Sequence, residues 1–306
     1  MYAKTVTLIL NNCGKDKDKI ITEILAVFGD AGYKVKLVEF SSNSEFCATC
    51  DSAVKEAKAE NGIVIAAGGD GTVSAIGDLC HKYKVRMGVI PLGTFNYFAR
   101  EHNIPLQPIE AARAIQNGVE KKVSAGFIGE RLFLNNASFG LYTKIIKNRE
   151  KDKKLFGRFK IVDMISAAHS LFSRQKTFTV NINLNGRQEA HKTTMIFIGN
   201  NNLQLENLGL EEVKCTRNDL LGVIIMSKIS RWETARLLMR GVLKNMGKEE
   251  TLDSFCSDSF EIDSERKNIE VALDGEIIKC QTPLLFHVEA DALSLIVPAQ
   301  IKDEKK

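Results

Sequence analysis

Apolar and polar positions alternate with two periods along the first 125 residues of the chain. Residues 5–10 form a β-branched apolar run, and residues 18–33 then carry apolar side chains at helical spacing, with Gly32 as a stop signal. The same alternation predicts further strands at 34–40, 62–69 and 86–93, and further helices at 45–60, 72–83 and 95–103. Strands separated by helices indicate a doubly wound, Rossmann-like parallel sheet with helices on both faces.

After residue 125 the pattern changes to that of strands and turns. Apolar alternation predicts strands within 124–141, 177–200, 220–229 and 259–298, and helical periodicity interrupts them at 156–173 and 230–244. Asn185-Gly186 is a hairpin signal. We therefore predict an α/β fold with an α/β domain over 1–125 and a mostly antiparallel β-sandwich domain over 126–292. Residues 293–306 are expected to pack back on the first domain.

Composition excludes several classes of protein. A chain of 306 residues with 44% hydrophobic and 26% charged side chains is typical of a globular protein. A net charge of +4 without a concentrated basic stripe does not favour a nucleic-acid partner. The sequence contains no apolar run of the length that spans a bilayer, and the N-terminal segment is interpreted as a first strand rather than a signal peptide.

Cysteine usage favours a reducing compartment. The seven cysteines are an odd number in a long chain, so we do not expect a disulfide framework. Cys47 and Cys50 form a CxxC pair, but no second pair stands at zinc-ligand spacing. The pair is therefore interpreted as two incidental helix residues rather than as a thioredoxin-like redox motif, and the protein is expected to be cytoplasmic.

A glycine-rich segment, Gly68 to Thr72, follows the apolar run at 62–69 and opens the next predicted helix. Two interpretations compete. The segment is either a tight structural turn in which Asp70 caps the helix, or a loop whose backbone N–H groups approach a phosphate at a helix N-terminus. Residues 91–96 also follow a predicted strand. Ligands of parallel sheets bind at the carboxyl ends of strands, so both loops are candidates.

Asp274-Gly275-Glu276 has two interpretations as well. Asp-Gly between two alternating apolar runs is a strong hairpin signal. Two carboxylates on either side of a glycine can also face one site, where one acts as a base and the other as a metal or positioning group. The spacing by itself leaves both interpretations open.

Four blocks carry a resemblance to a known family. They are residues 68–73 (GGDGTV), 91–100 (PLGTFNYFAR), 135–140 (NNASFG) and 271–298, from VALDGEIIKC onward. Their order and spacing resemble the diacylglycerol kinase catalytic-domain family of lipid kinases, which includes sphingosine and ceramide kinases and bacterial relatives. The resemblance implies a nucleotide-binding N-terminal domain and a lipid-substrate domain, as in the related NAD kinases.

The resemblance also implies an ATP site. Its residues would be Asn11, Gly14, Ser42, Gly68, Gly69, Asp70, Gly71, Thr72 and Thr94. Two of these matches depart from the family pattern. Asn12 stands where the first loop of the family has proline, and Ser41 is an alternative to Ser42.

The implied chemistry is transfer of the γ-phosphate of ATP to a lipid hydroxyl, with Mg2+, in a cleft between the domains. Glu276 would accept the proton of the hydroxyl, and Asp274 would support Glu276 or the metal. Tyr97 stands where the family commonly has aspartate, and Asp219 is the acidic residue left in a turn that is Asp-rich in the family. We therefore take Asp219 as the candidate for a further metal ligand.

A lipid substrate implies contact with a membrane. Residues 144–160 hold eight Lys and Arg residues against two acidic ones. The segment is either a solvated helical face or a patch that draws the protein to anionic headgroups as a peripheral membrane protein. Two alternative functions stay open, a non-catalytic nucleotide- or lipid-binding member of the family and an NAD kinase. The sequence does not indicate which lipid alcohol is the substrate. A homodimer is a further possibility that the sequence leaves open.

Overall fold

The computed structural model describes residues 5–11, 17–40, 43–141, 143, 146, 177–208, 213–216, 218–227 and 252–299. The chain divides into two compact units. The N-terminal unit comprises residues 1–125 and 289–306, and the C-terminal unit comprises residues 126–288.

The N-terminal unit alternates strands and helices, as the periodicity predicted. Its strands are β1 (Thr5–Asn11), β2 (Lys34–Phe40), β3 (Ile63–Gly68) and β4 (Arg86–Pro91). Its helices are α1 (Lys17–Asp30), α2 (Asn43–Ala59), α3 (Asp70–Tyr83), α4 (Tyr97–Glu101) and α5 (Pro108–Gln116). The strands pair in parallel in the order β2-β1-β3-β4, so a doubly wound parallel sheet is confirmed.

Burial explains why β3 is uniformly apolar. All six residues of β3 are buried, as expected of a central strand with both faces covered. The helices pack in pairs, α1 with α5 and α2 with α3. Periodicity along the sequence did not predict α5, although Pro108 in its first turn and the apolar positions Ala111, Ala112 and Ile115, which are buried, are signals of this helix.

The C-terminal unit is built from antiparallel strands. They are β6 (Arg131–Phe133), β7 (Asn136–Gly140), β8 (Phe178–Leu184), β9 (Arg187–Gly199), β10 (Leu221–Ser227), β11 (Leu252–Ser257), β12 (Ser259–Ser264), β13 (Asn268–Leu273) and β14 (Glu276–Gln281). Two longer strands, β5 (Val119–Ile128) and β15 (Leu284–Val297), run across the boundaries of the units along the chain. Two short helices, α6 (Asn202–Leu208) and α7 (Val213–Thr216), lie between β9 and β10.

Strand pairing in this unit follows the order β14-β13-β7-β9-β8-β12-β15, and β10 pairs with β9 and β11. The Asn185-Gly186 hairpin is confirmed, because both residues have positive φ (52° and 83°) in the two-residue turn between β8 and β9. Alternating side chains of β7, β9 and β13 enter one large core with Phe133, Phe139 and Phe286. The predicted helices at 156–173 and 230–244 lie outside the described residues.

One expectation about cysteines is wrong. Cys215 on α7 and Cys256 on β11 form a disulfide across 41 residues of sequence. The odd number of cysteines could not reveal this pair, because only the tertiary fold brings the two Cα atoms to 5.3 Å. Cys50 is buried on α2, whereas the side chain of Cys47 lies outside the described residues.

The predicted fold class is thus confirmed, with parallel strands and helices first and antiparallel strands after them. None of the helices in the described part of the chain has the length and hydropathy of a membrane-spanning segment.

Protonation of His102 provides a test of packing in the N-terminal unit. Desolvation, with a smaller contribution from the charge of Lys121, lowers the pKa of His102 from 6.5 to about 4, and the ring stands edge-on to Phe98. The unfolded chain therefore binds a proton between pH 6.5 and 4 that the folded chain does not bind, so stability falls as pH falls through this window. We expect the free energy of unfolding to drop by about 2 kcal/mol more between pH 7.5 and 5 in the wild type than in His102→Leu.

Urea unfolding of both proteins at the two pH values measures this difference. Between pH 7.5 and 8.5, above both pKa values, the two proteins should change in parallel. Equal losses of stability between pH 7.5 and 5 would contradict the assignment.

Candidate active site

The glycine-rich segment lies at a strand-to-helix junction. β3 ends at Gly68, Gly69 is the N-cap in an extended conformation, and α3 begins at Asp70. The first turn of a helix directs backbone N–H groups outward along the axis and carries a partial positive charge. Gly69 provides no side-chain cap for this turn. The junction therefore has the geometry of an anion-binding site.

Close contact with a second loop accounts for the glycines. A Cβ on Gly93 would lie 2.6 Å from the Cα of Gly69, and a Cβ on Gly69 would lie 3.3 Å from the Cα of Gly93. A Cβ on Gly68 would lie 2.6 Å from the Cβ of Thr72. Packing within the protein thus requires these small residues, independently of any phosphate.

The loop after β4 is closed on itself by an asparagine. Asn96 has φ 52°, its Nδ2 donates to the Gly93 carbonyl and its Oδ1 accepts from the Gly93 N–H, both at 3.0 Å. The N–H of Leu92 donates to the Gly68 carbonyl at 2.9 Å. These bonds hold the two candidate loops against each other and leave Thr94 exposed between them.

Asp70 provides a further connection between the two candidate loops, through a hydrogen bond to α4. Its Oδ1 accepts a hydrogen bond from the N–H of Phe98, in the first turn of α4, at 3.2 Å. The interpretation of Asp70 as the cap of its own helix is therefore wrong, since Asp70 is the first residue of α3 and bonds to α4 instead. A contact across 28 residues of sequence is not visible in a local pattern.

Two aromatic rings stand beside Thr94. Phe95 is 43% exposed, and its ring stacks on Tyr97 with centroids 5.6 Å apart and planes 9° apart. The Nε of Arg100 donates to the Phe95 carbonyl at 2.8 Å. Tyr97, the residue that departs from the family pattern, thus takes part in a stack rather than providing an acidic group.

The other proposed ATP ligands are described only in part. Asn11 ends β1 and, by strand register, lies at the same edge of the sheet as Gly68 and Pro91. The side chain of Asn11 lies outside the described residues, as do Gly14 and Ser42, with its alternative Ser41.

In the C-terminal unit, Asp274 and Gly275 form the two-residue turn between β13 and β14. Both have positive φ (46° and 92°), and Leu273 pairs with Glu276 across the turn. The hairpin interpretation of this motif is therefore confirmed. A structural turn and a functional carboxylate are compatible, because the turn determines where each carboxylate points.

The structure gives the two carboxylates different environments. Asp274 is 9% exposed, and its Oδ1 accepts from the N–H groups of Asn135 (2.8 Å) and Asn136 (2.9 Å). Its Oδ2 accepts from the N–H of Leu134 at 2.7 Å. Glu276 is exposed at the first residue of β14. Asp274 is thus a buried structural carboxylate, whereas Glu276 is exposed to solvent.

The third candidate region does not form a metal centre among the described residues. Asp219 is exposed with φ 54°, in the turn after α7 where Asn218 and Leu220 donate to the Cys215 carbonyl. Positive φ in such a turn is a common role for aspartate. The described ranges contain no group of three or more His, Cys, Asp and Glu side chains that could hold a metal ion. Within 144–160, only Ile146 is described, and it is buried.

Comparison with known proteins connects this arrangement to a family. Residues 5–128 match the family model of the diacylglycerol kinase catalytic domain. The chain is 36% identical over 132 residues to a diacylglycerol kinase of Bacillus subtilis, with 42% of each chain covered. It is 35% identical over 97 residues to a Pseudomonas aeruginosa protein named "Probable lipid kinase YegS-like", with 31% of this chain and 32% of that protein covered. The chain thus spans less than half the length of these curated relatives.

Solved structures agree with the fold over nearly the whole chain. A structure of a diacylglycerol kinase from Bacillus anthracis superposes with a TM-score of 0.74 at 20% identity, over 97% of both chains. At this identity the likeness shows the fold alone. The family model and the named relatives confirm the resemblance to the diacylglycerol kinase catalytic-domain family.

The contact between the two loops of the N-terminal unit can be tested with Gly93→Ala. The added methyl group would lie 2.6 Å from the Gly69 Cα and 2.7 Å from Asn96 Oδ1, which itself bonds to this loop, so we expect a loss of about 1–3 kcal/mol in the free energy of unfolding. Gly29→Ala is the matched control, because a Cβ there meets no atom within 4 Å on helix α1. This control should be stabilised by about 0.5–1 kcal/mol. Equal stability of the two variants in urea unfolding would refute the contact.

The role of the buried carboxylate can be tested with Asp274→Asn. Asparagine tolerates the positive φ of the turn but turns an N–H donor toward backbone N–H groups, so we expect a loss of about 2–4 kcal/mol. Asp219→Asn is the matched control, since Asp219 also has positive φ but is exposed, and it should change stability by at most about 0.5 kcal/mol. A loss for Asp274→Asn as small as that of the control would contradict a structural role.

Proposed function

We propose that the protein is an ATP-dependent lipid kinase that transfers the γ-phosphate of ATP to the hydroxyl of a diacylglycerol-like lipid. The observation that carries the proposal is the glycine junction between β3 and α3. It combines an anion-binding helix start with a closely packed second loop, inside the segment that matches the family model.

On the nucleotide side, the phosphates of ATP would bind over Gly68–Thr72, and Thr94 would contact the same nucleotide. Both loops are rigidly connected, so the site is preorganised before ATP binds. Mg2+ bound with ATP would neutralise charge that develops during phosphoryl transfer. Asp70 is the acidic side chain at this junction and is the residue of the chain that would hold the ion, since Mg2+ is commonly bound by one carboxylate together with substrate phosphates.

On the acceptor side, Glu276 would be the general base. An exposed carboxylate can approach a substrate hydroxyl, whereas both oxygens of Asp274 already accept backbone hydrogen bonds. Asp274 is therefore assigned a positioning role, in which it holds the turn that presents Glu276. The sequence predicted that Asp274 supports either Glu276 or a metal ion. The proposed role keeps the support of Glu276 and omits the metal.

The reaction follows from these roles. The lipid hydroxyl oxygen attacks the γ-phosphorus, its proton passes to Glu276, and the bond from the γ-phosphorus to the bridging oxygen breaks to release ADP. The contribution of the protein is positioning and charge stabilisation. A lipid substrate places the protein on a membrane surface, so we propose a cytoplasmic, peripherally associated enzyme that uses residues 144–160 against anionic headgroups.

The test is transfer of labelled γ-phosphate in mixed micelles that contain diacylglycerol, ceramide, sphingosine or phosphatidylglycerol, with Mg2+, and with NAD in a separate reaction. We expect one lipid to be labelled, and Glu276→Gln to lower kcat about 10²–10⁴-fold while ATP binding by calorimetry is unchanged. Glu265→Gln, at an exposed position of the same unit, is the matched control and should keep full activity.

Each other outcome contradicts part of the proposal. Labelling of NAD would assign the protein to the NAD kinases. ATP binding without transfer to any lipid would favour a non-catalytic member, which the isolated Asp219 and the stacked Tyr97 already make the second candidate. Full activity of Glu276→Gln would place the base elsewhere.

A further inference from the structure

Two asparagines of the C-terminal unit each make two kinds of contact. The backbone N–H groups of Asn135 and Asn136 donate to Asp274, as described above. Their side chains are at most 4% exposed and point to helix α6. The Nδ2 of Asn136 donates to Gln204 Oε1 at 2.9 Å, and Asn135 Oδ1 accepts from Asn201 Nδ2 at 3.0 Å. The side chains of two residues that hold Asp274 are thus held by the start of α6.

These side-chain contacts add to backbone contacts of the same segment, in which the Asn200 N–H donates to the Asn135 carbonyl at 2.8 Å and the Asp274 N–H donates to the Asn136 carbonyl at 2.9 Å. Among the described residues, the Oδ1 atom of buried Asn136 has no hydrogen-bond partner, so Gln204 is the partner that orients this side chain. Asn201 also accepts the N–H of Gln204 through Oδ1 at 2.9 Å, which joins both amides into one network. A shift of α6 would therefore reach Asn135 and Asn136 together.

Helix α6 is connected to a covalent link. The Thr216 hydroxyl donates to Asn202 Oδ1, which joins α7 to the first residue of α6. Cys215 on α7 is bonded to Cys256 on β11, a strand that pairs with β10. Because α7 has only four residues, it depends on contacts outside itself for its position. The disulfide fastens it to the sheet.

We propose that Asn201 and Gln204 are positioning residues for the Asp274–Glu276 turn, and that the Cys215–Cys256 disulfide makes this positioning depend on redox state. The chain of contacts runs from Cys256 through α7 and α6 to the asparagines and from there to Asp274. The effect on turnover rests on the proposed function of Glu276, whereas the effect on the turn does not.

The chemistry is two-electron exchange with a dithiol. Cys215 is buried and Cys256 is exposed, so a thiolate of the dithiol attacks the Cys256 sulfur and the S–S bond breaks. The second thiol of the dithiol then attacks the mixed disulfide. The dithiol is oxidised to a disulfide, and two electrons and two protons end on Cys215 and Cys256 as thiols. A small disulfide reverses the reaction.

The test measures hydrogen exchange at the backbone amides of Leu134, Asn135 and Asn136, which donate to Asp274. After reduction with dithiothreitol we expect these amides to exchange at least about tenfold faster, while the amides of the β8–β9 hairpin are unchanged. The double variant Cys215→Ser/Cys256→Ser should exchange fast without dithiothreitol and should not respond to it. Cys280→Ser, which removes a free thiol of the same unit, should respond like the wild type.

Gln204 gives a second variant in which the disulfide is kept. Gln204→Ala should accelerate exchange at Asn136 in the oxidised protein, because it removes the acceptor of the Asn136 side chain. Gln204→Glu keeps an acceptor oxygen in the first turn of α6 and should restore slow exchange. Unchanged exchange at residues 134–136 on reduction, or in Gln204→Ala, would overturn the proposal.

The kinase assay separates this proposal from the proposed function. If both hold, reduction lowers kcat several-fold and leaves the KM for ATP unchanged, since the proposed ATP contacts belong to the N-terminal unit. A change in exchange without any lipid phosphorylation would support the positioning network and reject the kinase. Phosphorylation of a lipid with unchanged exchange would support the kinase and reject the positioning network.

Discussion

The candidate site of the C-terminal unit depends on one buried carboxylate. Asp274 accepts three backbone hydrogen bonds from residues 134–136, so it connects the turn of one hairpin to a segment 138 to 140 residues earlier in the chain. A buried charge is stable only where such donors surround it. Because the donors are consecutive backbone groups, the position of the turn depends on the path of the chain before β7. The position of Glu276, two residues after Asp274, therefore depends on this contact with a distant segment.

In the N-terminal unit, close packing of the backbone rather than a buried charge positions the candidate loops. Gly69 and Gly93 lie with their backbones in contact, and Asn96 closes the loop that carries Thr94. Asp70 adds a hydrogen bond from the start of α3 to the start of α4. Glycine at these positions serves the protein's own packing, and the same close packing presents backbone to an anion. The two explanations of the glycine-rich segment are thus complementary, since a loop that must be tight is also a loop that a phosphate can approach.

Departures from the family pattern now have structural descriptions. Tyr97 stacks with Phe95 instead of supplying a carboxylate, and Asp219 occupies a turn position that suits aspartate without a metal. Both reduce the acidic groups that could organise a metal among the described residues. In the proposed lipid kinase, catalysis would rely on the ion that accompanies ATP and on preorganised positioning. The positioning network around Asn135 and Asn136 is consistent with that emphasis.

Sequence periodicity determined most elements of this protein, because burial of one face imposes a period of 3.6 on helices and of 2 on strands. Local chemistry also determined the Asn185-Gly186 and Asp274-Gly275 turns, whose positive φ values few other residue pairs tolerate. The motifs were sufficient to indicate the resemblance to the diacylglycerol kinase catalytic-domain family. Tertiary structure alone decided the partner of Asp70, the burial of Asp274 and the Cys215–Cys256 bond. Each of these joins residues at least 28 positions apart, and no local pattern specifies which distant groups the fold will bring into contact.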